Sequence, residues 1–474
     1  MLATESPALS ITKRSIQHKP DSQLFAPLTG RERAMESINY IAPQSGSAVK
    51  FVGPQQWWSG PLNTEELVRQ SVGNCAASLA ALTGASSPLR IDVSRAAHSF
   101  NSYGLLRING KETEGFAPLS GFFPTSTGWV RTHANYPHHR ERLLKAFNVH
   151  SGENLAAALL ETTSLEAERW GRAQGAVLTA VRTRDEWLAH PQGRSTNNKP
   201  WIQFASKSSP TAHAWRPHSV ALPLHGLKIL DFTRVIAGPT ATRLLGALGA
   251  DVLRIDPPHM PEDHTTYLDM GFSKRSAVAD LRDPQYRKQV HELASEADVI
   301  VGGYRPGALE RYGCGVSQLT DQFPGVIGMQ LSAWETSGPW GFQAGFDSIV
   351  QAACGIATLL ANPTTQRPGA LPVQALDYAT GYAIASAILH MLHQNRQGHA
   401  LNFASVSLQR TADVLFNLKA EQPGKTGKLA APLLSEYHTS EDTLEAVALP
   451  FDIDNSPLPH RFPPRRYATA KLEW

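Results

Sequence analysis

The chain of 474 residues exceeds the size at which one hydrophobic core stops growing, so we expect two domains or one large interlaced unit. Its 44 lysines and arginines nearly balance 41 aspartates and glutamates, and its 18 histidines are scattered. The resulting net charge of +3 gives no electrostatic reason to expect binding to nucleic acid or to a membrane surface, whereas a small anionic ligand is compatible with it.

Cysteine content and hydropathy restrict the class of protein further. Cys75, Cys314 and Cys354 are too few and too dispersed for a disulfide scaffold or a four-ligand zinc site, so we expect buried, reduced thiols. The N-terminus lacks an apolar core segment, and the chain has no apolar run long enough to span a membrane. The final Leu-Glu-Trp is no peroxisomal signal. These features predict a soluble cytoplasmic protein.

The first part of the chain predicts an arm followed by a mixed α and β unit. Residues 1–50 are typical of a mobile or surface-wrapping arm. Within residues 51–196, a turn and strand are predicted at residues 125–130 and a helix start at residues 136–144. We expect residues of about 110–190 to form a smaller α+β domain.

Three histidines stand close together in this part of the chain. His133, His138 and His139 have the spacing H-x₄-H-H, with no nearby cysteine or acidic helix face to complete a tetrahedral site. We therefore expect no metal site, and we expect these rings to cap and line the smaller domain.

A βαβ unit follows a linker, which is predicted over residues 197–223 from their proline, serine and histidine content. Lys228–Phe232 is a mostly apolar run too short for a helix, and Pro239 suits a first helical position because it lacks an N–H. Gly249 ends the predicted helix, and residues 252–256 predict the second buried strand.

A dehydrogenase is the weaker interpretation of this unit. Asp256 at the end of the second strand imitates the acid that binds a ribose in NAD enzymes. However, the turn at residues 234–239 reads RVIAGP and lacks the G-x-G-x-x-G pattern that brings a dinucleotide close to the backbone. The pattern therefore points to another nucleotide-like ligand.

Segments of the two parts of the chain match in the same order. The pairs are residues 73–82 with 381–390, 89–98 with 401–412, and 118–126 with 432–440. Three matches at nearly constant offset favour an internal repeat over chance similarity.

Five motifs follow the first strand of the βαβ unit. They are GFSKRS at residues 271–276, ADLRDP at 279–284, ADVIVGGYRPGALER at 297–311, GFDSIVQA at 345–352 and QALDYATG at 374–381. In this order, the stretch of about 190 residues from Leu224 to about Val414 closely resembles the family III CoA-transferases, which include formyl-CoA and carnitine CoA-transferases and the 2-methylacyl-CoA racemases. The resemblance implies an α/β enzyme with a Rossmann-like large domain, a mostly parallel six-stranded sheet and a smaller α+β domain.

Combined with the repeat, the resemblance implies a fused and partly truncated duplicate. The first copy, residues 51–196, lacks the βαβ half. The second copy consists of a CoA-binding large domain at residues 224–430 and the start of a small domain at residues 431–474. We expect the small domain of the first copy to serve the nucleotide half of the second.

Asp377 is the candidate nucleophile. A carboxylate can form first a mixed anhydride and then a CoA thioester without ATP. From position alone, Asp377 could simply cap a helix that begins near Tyr378, where free N–H groups would hold its carboxylate ionised. It matches the family's catalytic aspartate, so the resemblance implies the covalent role. Arg69 stands at the equivalent place in the first copy, which we expect to be inactive alone.

The motif around Asp347 separates transferases from racemases. Racemases of the family use a histidine immediately before this aspartate, and this chain has Phe346 there. An apolar ring cannot exchange a proton, which disfavours racemisation unless a distant histidine substitutes. We expect Asp347 to be a structural hydrogen-bond acceptor.

Seven positions match the family's CoA contacts: Val235, Ile236, Ala279, Arg282, Gly303, Tyr304 and Arg311. The resemblance implies that the two arginines contact phosphates or adenosine and that Tyr304 lies against the adenine. Both arginines could equally be solvated surface charges. The chain departs from the family at Ile236, Gly303 and Pro257, where a glutamine, an asparagine and an arginine are familiar contacts, and it shows no glycine-rich flap.

The resemblance thus predicts a transferase that moves CoA between an acyl-CoA and a carboxylic acid, with CoA as substrate and no metal. Two other functions stay open: a 2-methylacyl-CoA racemase, and a catalytically decayed paralogue that binds CoA or a partner. Family III enzymes are interlocked ring dimers, so a homodimer of this kind is implied as well.

Overall fold

The computed structural model describes residues 48–206, 215–217, 222–419, 426–453 and 456–474. The predicted arm at residues 1–50 lies almost entirely outside the described residues, as does part of the predicted linker at residues 197–223.

The described part of the chain contains both strands and helices. The strands are β1 (Val49–Val52), β2 (Leu89–Asp92), β3 (Arg107–Ile108), β4 (Lys111–Glu112), β5 (Phe122–Thr125), β6 (Gly128–Thr132), β7 (Leu178–Ala180), β8 (Gln203–Ala205), β9 (Lys228–Phe232), β10 (Asp251–Asp256), β11 (Arg275–Val278), β12 (Val299–Gly302), β13 (Ile327–Ser332), β14 (Phe403–Ser407), β15 (Leu434–His438), β16 (Thr443–Val447), β17 (Asp452–Ile453) and β18 (Ser456–Pro457). The helices are α1 (Thr64–Thr83), α2 (Val93–Ser99), α3 (Ser102–Leu105), α4 (Pro137–Ala146), α5 (Gly152–Leu160), α6 (Ser164–Ala173), α7 (Arg184–Ala189), α8 (Pro191–Arg194), α9 (Ala237–Ala247), α10 (His264–Met270), α11 (Pro284–Glu296), α12 (Val316–Gln322), α13 (Asp347–Cys354), α14 (Ile356–Leu359), α15 (Ala375–Arg396) and α16 (Leu408–Asn417), with one 3₁₀ turn at Glu310–Tyr312.

A seven-stranded sheet forms the centre of the molecule, in the order β11-β10-β9-β12-β13-β14-β8. The first six strands run parallel, and every residue of β12 is buried, as expected for a parallel sheet whose faces are covered by helices. Counted from β9 along the chain, the six strands have the order 3-2-1-4-5-6. The connections therefore reverse direction between β9 and β12, and ligands of such sheets bind at the carboxyl ends of the strands at that point.

The predicted α/β fold with a mostly parallel sheet is confirmed, but the expected count of six strands is wrong. The seventh strand, β8, runs antiparallel to β14 and lies within the predicted linker. Trp201, Ile202 and Phe204 around it are buried. A strand of three residues is too short to show periodicity, so the polar composition of the surrounding segment dominated the sequence interpretation.

The βαβ unit has the predicted strands with a slightly earlier helix. Helix α9 begins at Ala237, which makes Pro239 its third residue rather than its first. Proline remains compatible there because the N–H groups of the first turn have no partner within the helix. Gly249 follows the helix with a φ of 115°, where a side chain would be strained.

Helix α1 of the first part packs along α15 of the second part. The Ser78 and Ser386 hydroxyls meet at 3.0 Å, and each serine stands five residues after the glycine that begins its matched segment, Gly73 or Gly381. β1 and β2 run parallel on either side of α1 in the sequence, and β13 and β14 run parallel on either side of a segment that contains α13, α14 and α15. This element order supports the internal repeat, which stays a prediction.

Besides the two-stranded pairs β1-β2 and β17-β18, the described residues form one sheet of three strands and one of four. β5, β6 and β7 form an antiparallel sheet with α4, α5 and α6, which agrees with the α+β character expected for residues 110–190. The other sheet has the order β15-β16-β3-β4 and combines strands from both parts of the chain. The boundaries of the proposed domains stay predictions.

The three cysteines are free and buried, and burial raises the thiol pKa to about 11 for Cys314 and about 12 for Cys354. Among the residues described, no helix combines the length and apolar character needed to cross a membrane.

Candidate functional site

A cavity of about 820 Å³ lies between the two parts of the chain. From the first part it is lined by Phe116, Phe122, Arg131, His133 and Tyr136, and from the second by Val235, Ile236, Phe346, Asp347 and Asp377, among others. The site is therefore built jointly by residues 100–136 and by the large-sheet region, as expected if one part completes the other.

Asp377 lies in the first turn of α15 and faces this cavity. The helix begins at Ala375, three residues earlier than an N-cap role for Asp377 requires. The expectation that free helix N–H groups hold the Asp377 carboxylate is wrong, because the backbone N–H groups of Leu376 and Asp377 donate to Asp347 at 2.9 and 3.1 Å. No described residue donates a hydrogen bond to the Asp377 carboxylate.

Asp347 is a hydrogen-bond acceptor, as expected. Besides the two N–H groups of α15, its carboxylate accepts a hydrogen bond from the Gln351 amide one turn further along α13. Gln351 in turn accepts the N–H of Leu371 at 2.9 Å. Asp347 thus fixes the start of α15, and with it the backbone of Asp377, against α13.

Both carboxylates have a pKa above that of an ordinary aspartate, and burial is the main cause. Burial raises the pKa of Asp347, against the opposing effect of its hydrogen bonds and of the Arg131 charge. Burial also raises the pKa of Asp377 well above its usual value, and the neighbouring Asp347 charge raises it further. The two groups titrate as a pair, with Asp377 the more readily protonated member because it lacks compensating hydrogen bonds.

The imidazole ring of His133 lies directly against the Phe346 ring, a contact that the sequence did not predict. The His133 ring stacks on the Phe346 ring with centroids 3.7 Å apart and planes 2° from parallel. Burial lowers the pKa of His133 well below its usual value, and the neighbouring His139 and Arg131 lower it further. His133 is therefore neutral near pH 7 and a weak base. The sequence had placed these histidines only as lining of the smaller domain.

Arg131 is the second lining residue that sequence reasoning missed. Its side chain is buried, and burial lowers its pKa to about 10. The guanidinium carbon lies 4.9 and 5.1 Å from the ring centroids of Phe116 and Phe122. An arginine on one of several short, irregular strands gives no periodic signal, so only tertiary structure shows where it faces.

The turn after β9 carries backbone strain at Val235. Its φ is 67°, an unusual value for a β-branched residue, and its N–H donates to the Glu262 carboxylate at 3.0 Å. Burial alone would raise the pKa of Glu262, but Arg254 and Arg234 beside it lower that pKa to about 2. Tyr136 donates to the same carboxylate. An ionised Glu262 thus holds the strained turn and ties it to the first part of the chain.

A smaller cavity of about 80 Å³ brings together four predicted CoA contacts, Ala279, Arg282, Tyr304 and Arg311. Val235 and Ile236 line the large cavity, while Gly303 packs against Thr233 and Leu331 beneath the turn. These seven residues all follow the carboxyl ends of β9, β11 and β12, around the reversal point of the sheet.

The two predicted phosphate ligands differ in availability. Arg282 is exposed and binds Asp280 through two hydrogen bonds of 2.8 and 2.7 Å. Arg311 lies with its guanidinium carbon 4.9 Å from the Tyr312 ring centroid and donates to the Ala308 carbonyl at 3.2 Å, which leaves most of its donors for a ligand. The Tyr304 hydroxyl is enclosed, and its burial raises the pKa of the phenol.

Asp256 and the three histidines are the other candidates that the sequence offered. Asp256 is buried in an ion pair with Arg254 at 2.8 Å, so its carboxylate is not free to bind a ribose. Within the described ranges, no group of three or more histidine, cysteine, aspartate and glutamate side chains is arranged to hold a metal ion.

Comparison with known proteins gives matches over the second part of the chain. Residues 224–456 match the family model described as CoA-transferase family III. The chain is 34% identical over 216 residues to a probable fatty acyl-CoA transferase of Mycobacterium tuberculosis, covering 43% of this chain and 54% of that protein. It is 34% identical over 194 residues to the succinyl-CoA:glutarate CoA-transferase of Homo sapiens, covering 38% and 44%.

A crystal structure of the M. tuberculosis protein in an orthorhombic form aligns with a TM-score of 0.38 and 33% identity, over 41% of this chain and 57% of that one. The chain spans about half the length of the curated relatives it matches.

Proposed function

We propose that the chain, whose residues 224–456 match the family model of CoA-transferase family III, moves CoA from an acyl-CoA donor to a carboxylic acid acceptor. The observation that carries the proposal is the position of Asp377, a buried carboxylate in the first turn of α15 that faces a large cavity. Val235 and Ile236 bring the carboxyl edge of the sheet to the same cavity.

In the proposed reaction the Asp377 carboxylate attacks the thioester carbonyl and releases the CoA thiolate, which leaves a mixed anhydride. The thiolate then attacks the Asp377 carbonyl, releasing the donor acid and forming an aspartyl CoA thioester. The acceptor carboxylate attacks this thioester, and the thiolate finally attacks the acceptor carbonyl of the new anhydride. Each step exchanges one acyl bond for another, so no ATP is consumed and the carboxylate of Asp377 is regenerated.

The site supports this chemistry through the orientation and the burial of Asp377. Asp347 and Gln351 fix the first turn of α15, so the Asp377 side chain starts from a defined position. Because the Asp377 carboxylate is poorly hydrogen-bonded, it loses little solvation when it attacks, which favours its role as a nucleophile.

For CoA itself, the smaller cavity supplies an apolar wall, a tyrosine and two arginines at the carboxyl edge of the sheet. This combination suits an adenosine with a phosphate, and Arg311 is the better phosphate ligand because Arg282 is already paired with Asp280. Val235, Ile236, Ala279, Gly303 and Tyr304 complete the proposed CoA contacts.

A racemase is disfavoured by two observations. Phe346 cannot exchange a proton, and the histidine stacked on it, His133, has a lowered pKa that makes it a weak base for a proton at carbon. A decayed paralogue predicts CoA binding without transfer.

Trapping the intermediate on the full chain tests the proposal. We would incubate the protein with a panel of acyl-CoAs and free acids, treat it with hydroxylamine or borohydride, and map labelled peptides by mass spectrometry. We expect a label on Asp377 only after acyl-CoA is added, and a loss of transfer by several orders of magnitude in Asp377→Asn.

Asp92→Asn is the matched control, because Asp92 also lies at a helix start, as the N-cap of α2, but does not line the cavity. An active Asp377→Asn enzyme or a label on another carboxylate would refute the nucleophile. A folded wild type that binds CoA but transfers nothing across the panel would favour the decayed paralogue.

A further inference from the structure

The Tyr136 hydroxyl joins the first part of the chain to the strained turn after β9. It donates a hydrogen bond to the Glu262 carboxylate, which also accepts the N–H of Val235 at 3.0 Å. Among the described residues of the first part, Tyr136 is the one that donates to this carboxylate. Tyr136 also lines the large cavity. One hydroxyl therefore connects the cavity wall with the turn.

Local geometry holds the Tyr136 ring in place. The residue precedes Pro137, which disfavours a helical backbone, and its φ of −95° and ψ of 142° are extended. The ring centroids of His138 and His139 lie 5.7 and 5.4 Å from that of Tyr136, and the Arg234 guanidinium carbon lies 5.5 Å from it. Tyr136 is the N-cap of α4, but its side chain makes no capping hydrogen bond. These neighbours restrict the ring, so its hydroxyl has a defined direction.

Two arginines compete with Tyr136 and Val235 for the Glu262 carboxylate. Arg254 donates to Oε2 at 2.8 Å and Arg234 to Oε1 at 3.3 Å. A guanidinium prefers to pair with both oxygens of a carboxylate, so either arginine alone would turn the group toward itself. Tyr136 at Oε1 and the Val235 N–H at Oε2 keep it divided between them. The Glu262 side chain is fully buried, so water does not readily replace a lost donor.

We propose that Tyr136 is a positioning residue for CoA, whose hydroxyl orients Glu262 so that the Val235 turn keeps its strained shape. This inference rests on the proposed CoA contacts of Val235 and Ile236, and it assigns Tyr136 no contact with the reacting atoms. A φ of 67° is costly for a β-branched residue, so the turn relaxes when the acceptor of its N–H rotates away. The first part of the chain thus controls CoA binding through the turn.

The test is Tyr136→Phe in the full chain, which removes the hydroxyl and keeps the ring. We would measure the Kd of free CoA by isothermal calorimetry. We expect CoA to bind about 5- to 50-fold more weakly, because binding must then restore a backbone conformation whose strain corresponds to a factor of this size. Unchanged CoA affinity in a folded variant would overturn the proposal.

Val235→Gly distinguishes positioning from direct contact. Glycine adopts a positive φ without strain, so the turn depends less on a fixed acceptor for its N–H. In this background we expect Tyr136→Phe to weaken CoA binding by less than about 2-fold. An equal loss in both backgrounds would show that the Tyr136 hydroxyl contacts CoA itself, which contradicts a role through the turn.

Tyr382→Phe is the matched control. The Tyr382 hydroxyl also joins the two parts of the chain, because it donates to the Ser99 hydroxyl at 3.0 Å, but Tyr382 does not line the cavity. We expect this variant to bind CoA like the wild type. A loss as large as that of Tyr136→Phe would show that any weakened contact between the two parts reduces CoA binding, and a specific role for Tyr136 would be wrong.

The two proposals fail separately. If CoA is transferred but Tyr136→Phe keeps the wild-type affinity, the positioning role is wrong and the transferase function stands. If CoA binding depends on Tyr136 in the expected way but no pair of acyl-CoA and acid supports transfer, the transferase function is wrong and the positioning role stands. A folded wild type that does not bind CoA would refute both.

Discussion

At the scale of single residues, the site depends on the different hydrogen bonding of two neighbouring carboxylates, Asp347 and Asp377. The helix N–H groups go to Asp347, and Asp377 is left with burial and a like charge. The hydrogen bonds keep Asp347 closer to an ordinary carboxylate, while the Asp377 pKa rises well above its usual value. A protein that simply maximised stability would pair both groups, so this arrangement indicates a functional constraint on Asp377.

We predict that Asp347→Asn moves the acidic limb of the pH–rate profile to lower pH. The proposed nucleophile must be deprotonated, so the rate rises with pH as Asp377 loses its proton. The Asp347 charge raises the pKa of Asp377, and removing that charge lowers it again. The amide oxygen can still accept the N–H groups of α15. The measurement is kcat/KM against pH, and an unmoved limb would show that another group controls the rate.

Sequence reasoning found Asp377 by resemblance but could not find its surroundings. Arg131 and His133 stand more than 200 residues earlier in the chain, and nothing local to them indicates that they face the same cavity. The hydrogen-bond partner of Asp377 was also mispredicted, because a shift of three residues in the start of α15 changes which carboxylate meets the free N–H groups. Helix ends are set by tertiary contacts that a single sequence does not reveal.

At the scale of elements, the central contact is the close packing of α9 on α15. A Cβ atom at Gly381 would lie 2.6 Å from both the Ala237 carbonyl oxygen and the Thr240 Cβ. The Ala237 oxygen belongs to the backbone, so it cannot move away by a change of side-chain rotamer. Because α9 begins directly after Val235 and Ile236, this contact also positions the turn that lines the large cavity.

We predict that Gly381→Ala destabilises the protein by about 1 to 3 kcal/mol, the usual cost of overpacking. In an unhindered helix the same change would stabilise by about 0.5 to 1 kcal/mol, so the sign of the effect reports the clash. Gly60→Ala is the control, because a Cβ there meets only one side-chain atom, at 3.9 Å. Denaturant unfolding measures both variants, and a neutral or stabilising Gly381→Ala would mean that the two helices separate at no cost.

The large sheet was the most predictable element, because buried parallel strands give continuous apolar runs that alternate with helices. Its edge was not predictable. β8 has three residues, and β3 and β4 have two each, so their pairing depends on partners far along the chain. Such strands form because a neighbouring strand offers free hydrogen-bonding groups, and they leave almost no local pattern.

At the scale of the whole molecule, neither part of the chain forms a closed structure alone. The first part supplies β8 to the central sheet, and the second supplies β15 and β16 to the sheet that contains β3 and β4. α1 packs along α15, with Ser78 meeting Ser386. Contacts between equivalent residues are typical of a two-fold interface, here within one chain. The implied homodimer stays a prediction beside this internal arrangement.

We therefore predict that residues 1–215 and 220–474 depend on each other for solubility. Separated, each fragment would expose the apolar face of α1 or α15 and the unpaired edge of a sheet, both of which promote aggregation. Expressed together, they should form a soluble complex, because the contacts between them need no continuous chain. The measurement is the soluble yield of each fragment alone and of the pair, with CoA transfer as a second readout.

The C-terminal fragment alone should also be inactive, since Arg131, His133 and the phenylalanine walls of the cavity come from the other fragment. A stable and active C-terminal fragment would show that the first part of the chain does not complete the site.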